Sequence, residues 1–193
     1  MNSDNQKIIL QPQDKILAKT LLKIIPHSVL PNYFTIIRFF LILPVIWMIT
    51  IEQYLYGVII FIIAAFTDAI DGALARTRNQ ITEWGKVYDP VADKLLIGST
   101  AFLIINKYLN FYLAMTIIFI EILIVVNGGW RKAKGHPVQA NIWGKIKMHL
   151  QVYGVSLLFI FLLTNVSILI PLCWSIFILA IIFAIISFFT YSM

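Results

Sequence analysis

The chain is 193 residues long, 60% hydrophobic and only 12% charged, with a mean hydropathy of +0.88, too apolar for a soluble domain of this size. Its net charge of +6 does not point to nucleic acid, because the basic residues flank apolar runs and are not interleaved with exposed aromatics; anionic lipid and phosphate suit them better. A lone cysteine, Cys173, excludes an intrachain disulfide framework and a cysteine-built zinc site, and reads as packing.

In chain order, residues 1 to 12 are polar and read as a frayed tail. Asp4, Lys7, Asp14, Lys15, Lys19 and Lys23 break the pattern of a cleaved signal peptide, so the N-terminus is expected to be retained. Ile16, Leu17, Thr20, Leu21 and Ile24 then recur at helical spacing opposite Lys15, Lys19 and Lys23. Too short to span before Pro26, this stretch reads as an interfacial amphipathic helix, with a solvated linker as the alternative. Six apolar runs follow, at about 34 to 52, 56 to 76, 88 to 107, 110 to 130, 145 to 164 and 168 to 190. The fold expected is therefore an all-α integral membrane protein of six transmembrane helices behind an N-terminal interfacial helix. Residues 1–30 form the cytoplasmic tail and interfacial helix, and residues 31–193 the membrane domain. Arg76, Arg78, Lys86, Arg131, Lys132, Lys134, Lys145 and Lys147 fall on the side of the N-terminal lysines and only Lys107 clearly on the other. That asymmetry predicts N-in, C-in.

Four aspartates interrupt the apolar pattern. The second run ends in Thr67-Asp68-Ala69-Ile70-Asp71-Gly72-Ala73-Leu74-Ala75-Arg76, and the third opens with Tyr88-Asp89-Pro90-Val91-Ala92-Asp93-Lys94. A carboxylate at the centre of a span costs about 2.5 to 3.5 kcal/mol, and four together repel one another. On helices, Asp68 and Asp71 share one face and Asp89 and Asp93 another, so two acidic faces can meet. Such hard oxygen donors suit Mg²⁺ or Mn²⁺, and two ions would hold a diphosphate and stabilise both the attacking and the leaving oxygen. Gly72, Ala75 and Arg76 extend the stripe of Asp68 and Asp71, leaving room for a nucleotide and offering a cation to its phosphate. Gly85, in the linker Thr77 to Lys86, is expected to ease the turn. Solvated caps and a small-residue packing seam account for either aspartate pair alone, but not for the full set.

The residues Asp68, Asp71, Gly72, Ala75, Arg76, Gly85, Asp89 and Asp93 stand as D-x-x-D-G-x-x-A-R-x8-G-x3-D-x3-D. This resembles the signature of the CDP-alcohol phosphotransferase (phosphatidyltransferase) family at every defined position, and the six-span layout and length are similar too. The resemblance implies that Asp68, Asp71 and Asp89 ligate the metals and that Asp93, beside them, is the general base. Gly72, Ala75 and Arg76 would contact the CDP moiety together with Asp68. The implied reaction is attack of an acceptor hydroxyl, deprotonated by Asp93, on the lipid-side phosphorus of CDP-diacylglycerol, with CMP leaving. The family also implies a homodimer, for which Gly98 permits close helix contact.

Pro31-Asn32-Tyr33-Phe34-Thr35-Ile36-Ile37-Arg38 is similar to the P-N-x-x-T-x-x-R opening of the phosphatidylglycerophosphate and cardiolipin synthases in this family, and Asp89-Pro90-Val91-Ala92-Asp93-Lys94 to their D-P-x-A-D-K form. On that resemblance Asn32 and Thr35 help bind CDP, with a helix cap as the alternative reading of Asn32. Arg38 either enters the polar cavity or snorkels to the headgroups, the cavity being favoured. Glu121, Arg131, Lys145 and Lys147, with Gln151, look like the acceptor region, and fixed positive charge there suits glycerol 3-phosphate. Arg131, Lys145 and Lys147 also read as positive-inside anchors. The pattern departs at Ile120-Glu121, where an Arg-Glu pair is expected, and the segment between Glu121 and Gly144 lacks the second Arg at its usual spacing.

The expected function is thus metal-dependent formation of phosphatidylglycerophosphate at the cytoplasmic face of a bacterial inner membrane, with a cardiolipin synthase or another acceptor as the nearest alternative. A cation path is disfavoured by the clustering of the aspartates at one end with Arg76, and a non-catalytic lipid-binding protein would not need Asp93. His27, His136 and His149 show no ligand spacing and read as packing or interfacial residues.

Overall fold

The computed structural model describes residues 12–26, 29–134 and 142–192. Residues 1–11 of the expected polar tail, His27 and His136 lie outside the described residues. Among the described residues the elements are α1 (Pro12–Lys19), a 3-10 turn (Leu21–Lys23), α2 (Pro31–Thr50), α3 (Tyr54–Thr77), α4 (Glu83–Tyr108), α5 (Phe111–Ala133), α6 (Ile142–Thr164) and α7 (Leu169–Ser192), with no strand. Five of these, α2, α3, α5, α6 and α7, are long and apolar enough to cross a membrane. The 26-residue α4 is long enough, but Asp89, Asp93 and Lys94 lower the hydropathy of its first half.

Local chemistry sets the helix ends. Asn110 accepts from the backbone N–H groups of Tyr112 and Leu113 at 2.8 and 3.3 Å and so caps α5. Thr82 caps α4, its Oγ1 accepting from the Gly85 N–H at 2.9 Å. Helix α4 therefore starts at Glu83, ahead of the apolar run, and Gly85 sits within the helix instead of easing a linker turn. At the other ends, Glu52 and Asn79 adopt positive φ (64° and 53°). The next residues close the helices behind them, Gln53 N–H to the Met48 carbonyl and Gln80 N–H to the Ala75 carbonyl, both at 2.9 Å.

The chain divides into two compact units, drawn from Met1–Trp47 with Tyr56–Leu96 and from Met48–Leu55 with Ile97–Met193. In the first, α2 buries Thr35, Arg38, Ile42 and Val45, and α3 buries Ala64, Thr67, Asp71 and Leu74. Each set follows i, i+3, i+7, i+10, one stripe per helix. The polarity is inverted relative to a water-soluble bundle: Arg38 is 0% exposed while Phe40, two residues on, is 70% exposed. A hydrocarbon solvent tolerates that arrangement, because the outward side chains lose nothing and the polar ones find partners inside. The N-terminal segment belongs to this unit's core, with Leu22 buried against Ala73 and Leu74, and Leu17, Ala18, Ile25, Phe34 and Ile70 packed around them.

In the second unit α7 packs against α5 and α6. Gly154 lets α6 approach the Phe177 ring so closely that a Cβ there would lie 2.7 Å from Cζ. Trp143 stacks on Phe183, and Cys173 is buried, as a packing residue should be. At one end of this unit Lys107 reaches Glu52 at 2.6 Å and the Tyr54 hydroxyl at 3.0 Å, and lies over the Tyr54 and Tyr108 rings.

Candidate active site

The aspartates expected to face one another across two helices do converge, and on a cation that the spacing argument did not require. Helix α2 carries Arg38 into the first unit, where Nη1 donates to Asp93 Oδ1 at 2.5 Å and pairs with Asp68 Oδ1 at 3.1 Å, and Nη2 donates to Asp71 Oδ2. Its Nε donates to Thr67 Oγ1 at 3.3 Å, and Thr67 in turn donates to the Ala64 carbonyl at 2.6 Å. The fourth carboxylate, Asp89, accepts from Thr35 Oγ1 at 2.5 Å. Thr35 and Arg38, one turn apart on α2, therefore bind carboxylates from α3 and α4. Asp71 is sealed, its side chain 3% exposed, whereas Asp68 at 47% is open. The cluster thus has a closed floor and an accessible side.

Among the described residues no three His, Cys, Asp or Glu side chains stand as a ready-made metal cage; the carboxylates converge on the guanidinium. The donor set nonetheless fits divalent cations. It offers only hard carboxylate oxygens, and one guanidinium opposes four carboxylates, leaving an excess of negative charge in a poorly solvated place.

Asn32 and Arg76 have partners the sequence did not indicate. Asn32 Oδ1 accepts from Thr82 Oγ1 at 2.7 Å, joining the start of α2 to the cap of α4. A Cβ at Gly85 would lie 3.3 Å from Asn32 Oδ1 and 3.1 Å from Asp89 Oδ2, so this glycine permits the close approach. Arg76 grips Asp14 of α1 with Nε and Nη2, both at 2.8 Å, and its guanidinium covers Gly72. Ala75 lies one residue before it on α3. Asp14 and Arg78, whose guanidinium binds the carbonyls of Leu22, Ile25 and Pro26 at 2.6 to 3.0 Å, were missed as site-related residues. Nothing in local spacing links them to their partners.

Of the residues expected to bind the acceptor, Arg38 lies in the aspartate cluster. In the second unit, Glu121 Oε1 accepts from the Lys147 ammonium and, at 2.9 Å, from Gln151 Nε2. Lys147 is buried, and a cavity of about 10 Å³ beside Glu121 and Gln151 has room for no more than a single water. Arg131 is partly buried, with Nε unpartnered. Lys145 is exposed, and its carbonyl lies 2.7 Å from His149 Nδ1, a local helix contact consistent with the bland reading of that histidine.

Residues 28–190 match the family profile of CDP-alcohol phosphatidyltransferase, most of the chain and the whole aspartate cluster. The chain belongs to that family. Its relatives include proteins named CDP-diacylglycerol–glycerol-3-phosphate 3-phosphatidyltransferase. The one from Rickettsia felis is 33% identical over 133 residues, 67% of this chain and 74% of that protein. The Escherichia coli protein is 33% identical over 140 residues, 66% of this chain and 74% of that protein. The Rickettsia typhi protein is 41% identical over 81 residues, 40% of this chain and 46% of that protein. The chain thus spans just under half the length of some curated relatives it matches and about three quarters of others. The family is in general dependent on divalent metal.

Proposed function

We propose that this chain is an integral membrane phosphatidyltransferase that moves the phosphatidyl group of CDP-diacylglycerol to glycerol 3-phosphate, forming phosphatidylglycerophosphate and releasing CMP. The observation that carries the reading is the convergence of Asp68, Asp71 and Asp93 around Arg38 with Asp89 held by Thr35, in a chain whose relatives are named for this reaction. Asp68, Asp71, Asp89 and Asp93 would hold Mg²⁺ or Mn²⁺, which when bound offsets the charge of the diphosphate and of departing CMP. Asp93 takes the proton of the acceptor hydroxyl on a carboxylate oxygen, the freed oxygen bonds to the lipid-side phosphorus, and the bond from that phosphorus to the CMP oxygen breaks, its electron pair leaving with CMP. Asn32, Thr35, Asp68, Gly72, Ala75 and Arg76 are assigned to the CDP moiety, with Gly72 leaving room for the Arg76 guanidinium that lies over it. Arg38, Glu121, Arg131, Lys145 and Lys147 are assigned to the acceptor, whose phosphate needs fixed positive charge.

The same reading takes α4 as a sixth span, residues 31–193 as the membrane domain behind the interfacial segment 1–30, and both termini on the cytoplasmic side of a bacterial inner membrane, where the aspartates open. A homodimer fits the open space at Gly98, where a Cβ would meet nothing within 4 Å. One observation favours a second acceptor: Lys147 is engaged by Glu121, and Ile120 stands where an arginine is expected. The test is CMP release by the purified protein with CDP-diacylglycerol and Mg²⁺ or Mn²⁺, offering glycerol 3-phosphate, phosphatidylglycerol, inositol 1-phosphate and serine separately. Turnover with glycerol 3-phosphate alone is expected. Turnover with phosphatidylglycerol would reassign the chain to cardiolipin synthesis, and none with any acceptor would sink the catalytic reading.

A further inference from the structure

Asp14 is fully buried on a short helix next to charged, polar sequence. A carboxylate stays ionised in such a place only if a cation and good geometry compensate its lost hydration. Both are present: Arg76 meets it through Nε and Nη2, each at 2.8 Å, the two-pronged arrangement in which guanidinium and carboxylate fit best. That grip uses one edge of the guanidinium. Both terminal nitrogens stand over Gly72, Nη2 at 2.9 Å and Nη1 at 3.1 Å from where a Cβ would stand.

Asp68 and Asp71 lie on the same helix as Arg76 and attract it electrostatically, and an arginine drawn among them would compete with cations for their oxygens. The bond to Asp14 holds it out of the cluster and in one rotamer. The N-terminal segment has attachments besides that bond: Arg78 binds the carbonyls of Leu22, Ile25 and Pro26, and Leu22 is buried in the core. Asp14 also lies outside residues 28–190, the stretch that matches the family profile.

We infer that Asp14 is a positioning residue for the donor substrate: through its two-pronged bond it presents Arg76 to the diphosphate of the CDP moiety, making the N-terminal helix a working part of the nucleotide site. The inference rests on the assignment of Arg76 to the CDP moiety. A side chain frozen in its productive rotamer loses little entropy on binding, so removing the restraint weakens donor binding more than it slows the chemical step.

The test compares full-length wild type, Asp14→Asn, Asp14→Glu, Arg76→Ala and the double variant Asp14→Asn/Arg76→Ala. The readouts are the apparent Kd for CDP-diacylglycerol with Mg²⁺, from ligand-dependent thermal shift, and KM and kcat for CMP release. Asp14→Asn is expected to raise Kd and KM for CDP-diacylglycerol about ten-fold, with kcat changed less than about three-fold and the acceptor KM unmoved. Asp14→Glu should recover most of the loss, and Asp14→Asn should add nothing in the Arg76→Ala background. An unchanged or lowered Kd in Asp14→Asn, or additive effects in the double variant, would overturn the inference. If Asp14→Asn is not recovered folded, Asp14→Glu decides: a two- to three-fold rise in Kd, absent in the Arg76→Ala background, supports the inference, and no rise overturns it. Wild type that binds CDP-diacylglycerol but releases no CMP with any acceptor would sink the catalytic reading while the Kd comparison still judges Asp14. Wild type that does not bind it would overturn both.

Discussion

Each unit contains a buried ion pair built from charged residues on apolar helices, and the two differ in stoichiometry. In the first, one guanidinium faces Asp68, Asp71 and Asp93, with Asp89 close by on Thr35. In the second, one ammonium faces one carboxylate, with Gln151 supplying a further hydrogen bond and aliphatic side chains closing the surroundings. The second pair balances in charge, although Glu121 Oε2 is buried without a hydrogen-bond partner; the first, with its excess of carboxylates, is costly until further cations arrive. Buried charge alone therefore does not mark a catalytic site in such a protein. What separates the Arg38 cluster from the Glu121 pair is uncompensated charge with an open side.

The largest effect that would sharpen the contrast is on turnover. Asp93→Asn keeps the shape but cannot take a proton, and is expected to lower kcat about 10² to 10⁴-fold while CDP-diacylglycerol still shifts the thermal midpoint. Activity within a few-fold of wild type would remove Asp93 from the role of base. Next comes the charge excess. Arg38→Met leaves the carboxylates without their guanidinium and should destabilise the protein in EDTA by about 3 to 5 kcal/mol, with Mg²⁺ restoring part of the midpoint. A variant as stable as wild type in EDTA would mean that Arg38 does not hold the cluster together.

The second unit should behave in the opposite way. Lys147→Met alone strands Glu121 and is expected to cost about 3 kcal/mol, whereas Glu121→Leu with Lys147→Met should return to within about 1 kcal/mol of wild type. A double variant that regains stability but loses affinity for glycerol 3-phosphate would move this pair into the acceptor site and break the contrast. The smallest effect is expected from Gly72→Ala. The new methyl would stand 2.9 Å from Arg76 Nη2, which also bonds Asp14, so the guanidinium must shift by a few tenths of an ångström, and a rise of about two- to five-fold in KM for CDP-diacylglycerol with a stability loss of about 1 kcal/mol is the expected outcome. No change in KM would mean that the placement of Arg76 over Gly72 does not matter to the donor.

Helix positions were readable because apolar length and the 3.6-residue repeat are local properties. The run at about 56 to 76 became α3 at Tyr54–Thr77, and the run at about 145 to 164 became α6 at Ile142–Thr164. Where expectation and structure parted, as at the start of α4, a polar first turn capped by Thr82 carried the helix beyond its apolar stretch. Hydropathy registers where a helix would meet lipid, not where its hydrogen bonds begin. The side-chain pairings were less legible. Arg38 was visible as an unusual residue in an apolar run, but its three carboxylate partners lie 30 to 55 residues away along the chain.

By itself the sequence determined that the chain is helical and apolar, that Asp68 pairs with Asp71 and Asp89 with Asp93 on single faces, and that these residues follow one family's pattern, because each of these depends on spacing within a helix. Only the tertiary structure decided which donor each carboxylate receives: Arg38 for Asp68, Asp71 and Asp93, Thr35 for Asp89, and Arg76 for the Asp14 of a distant segment. The physical reason is that a buried charge takes whatever counter-charge packing brings within about 3 Å, and packing joins elements without regard to their separation along the chain.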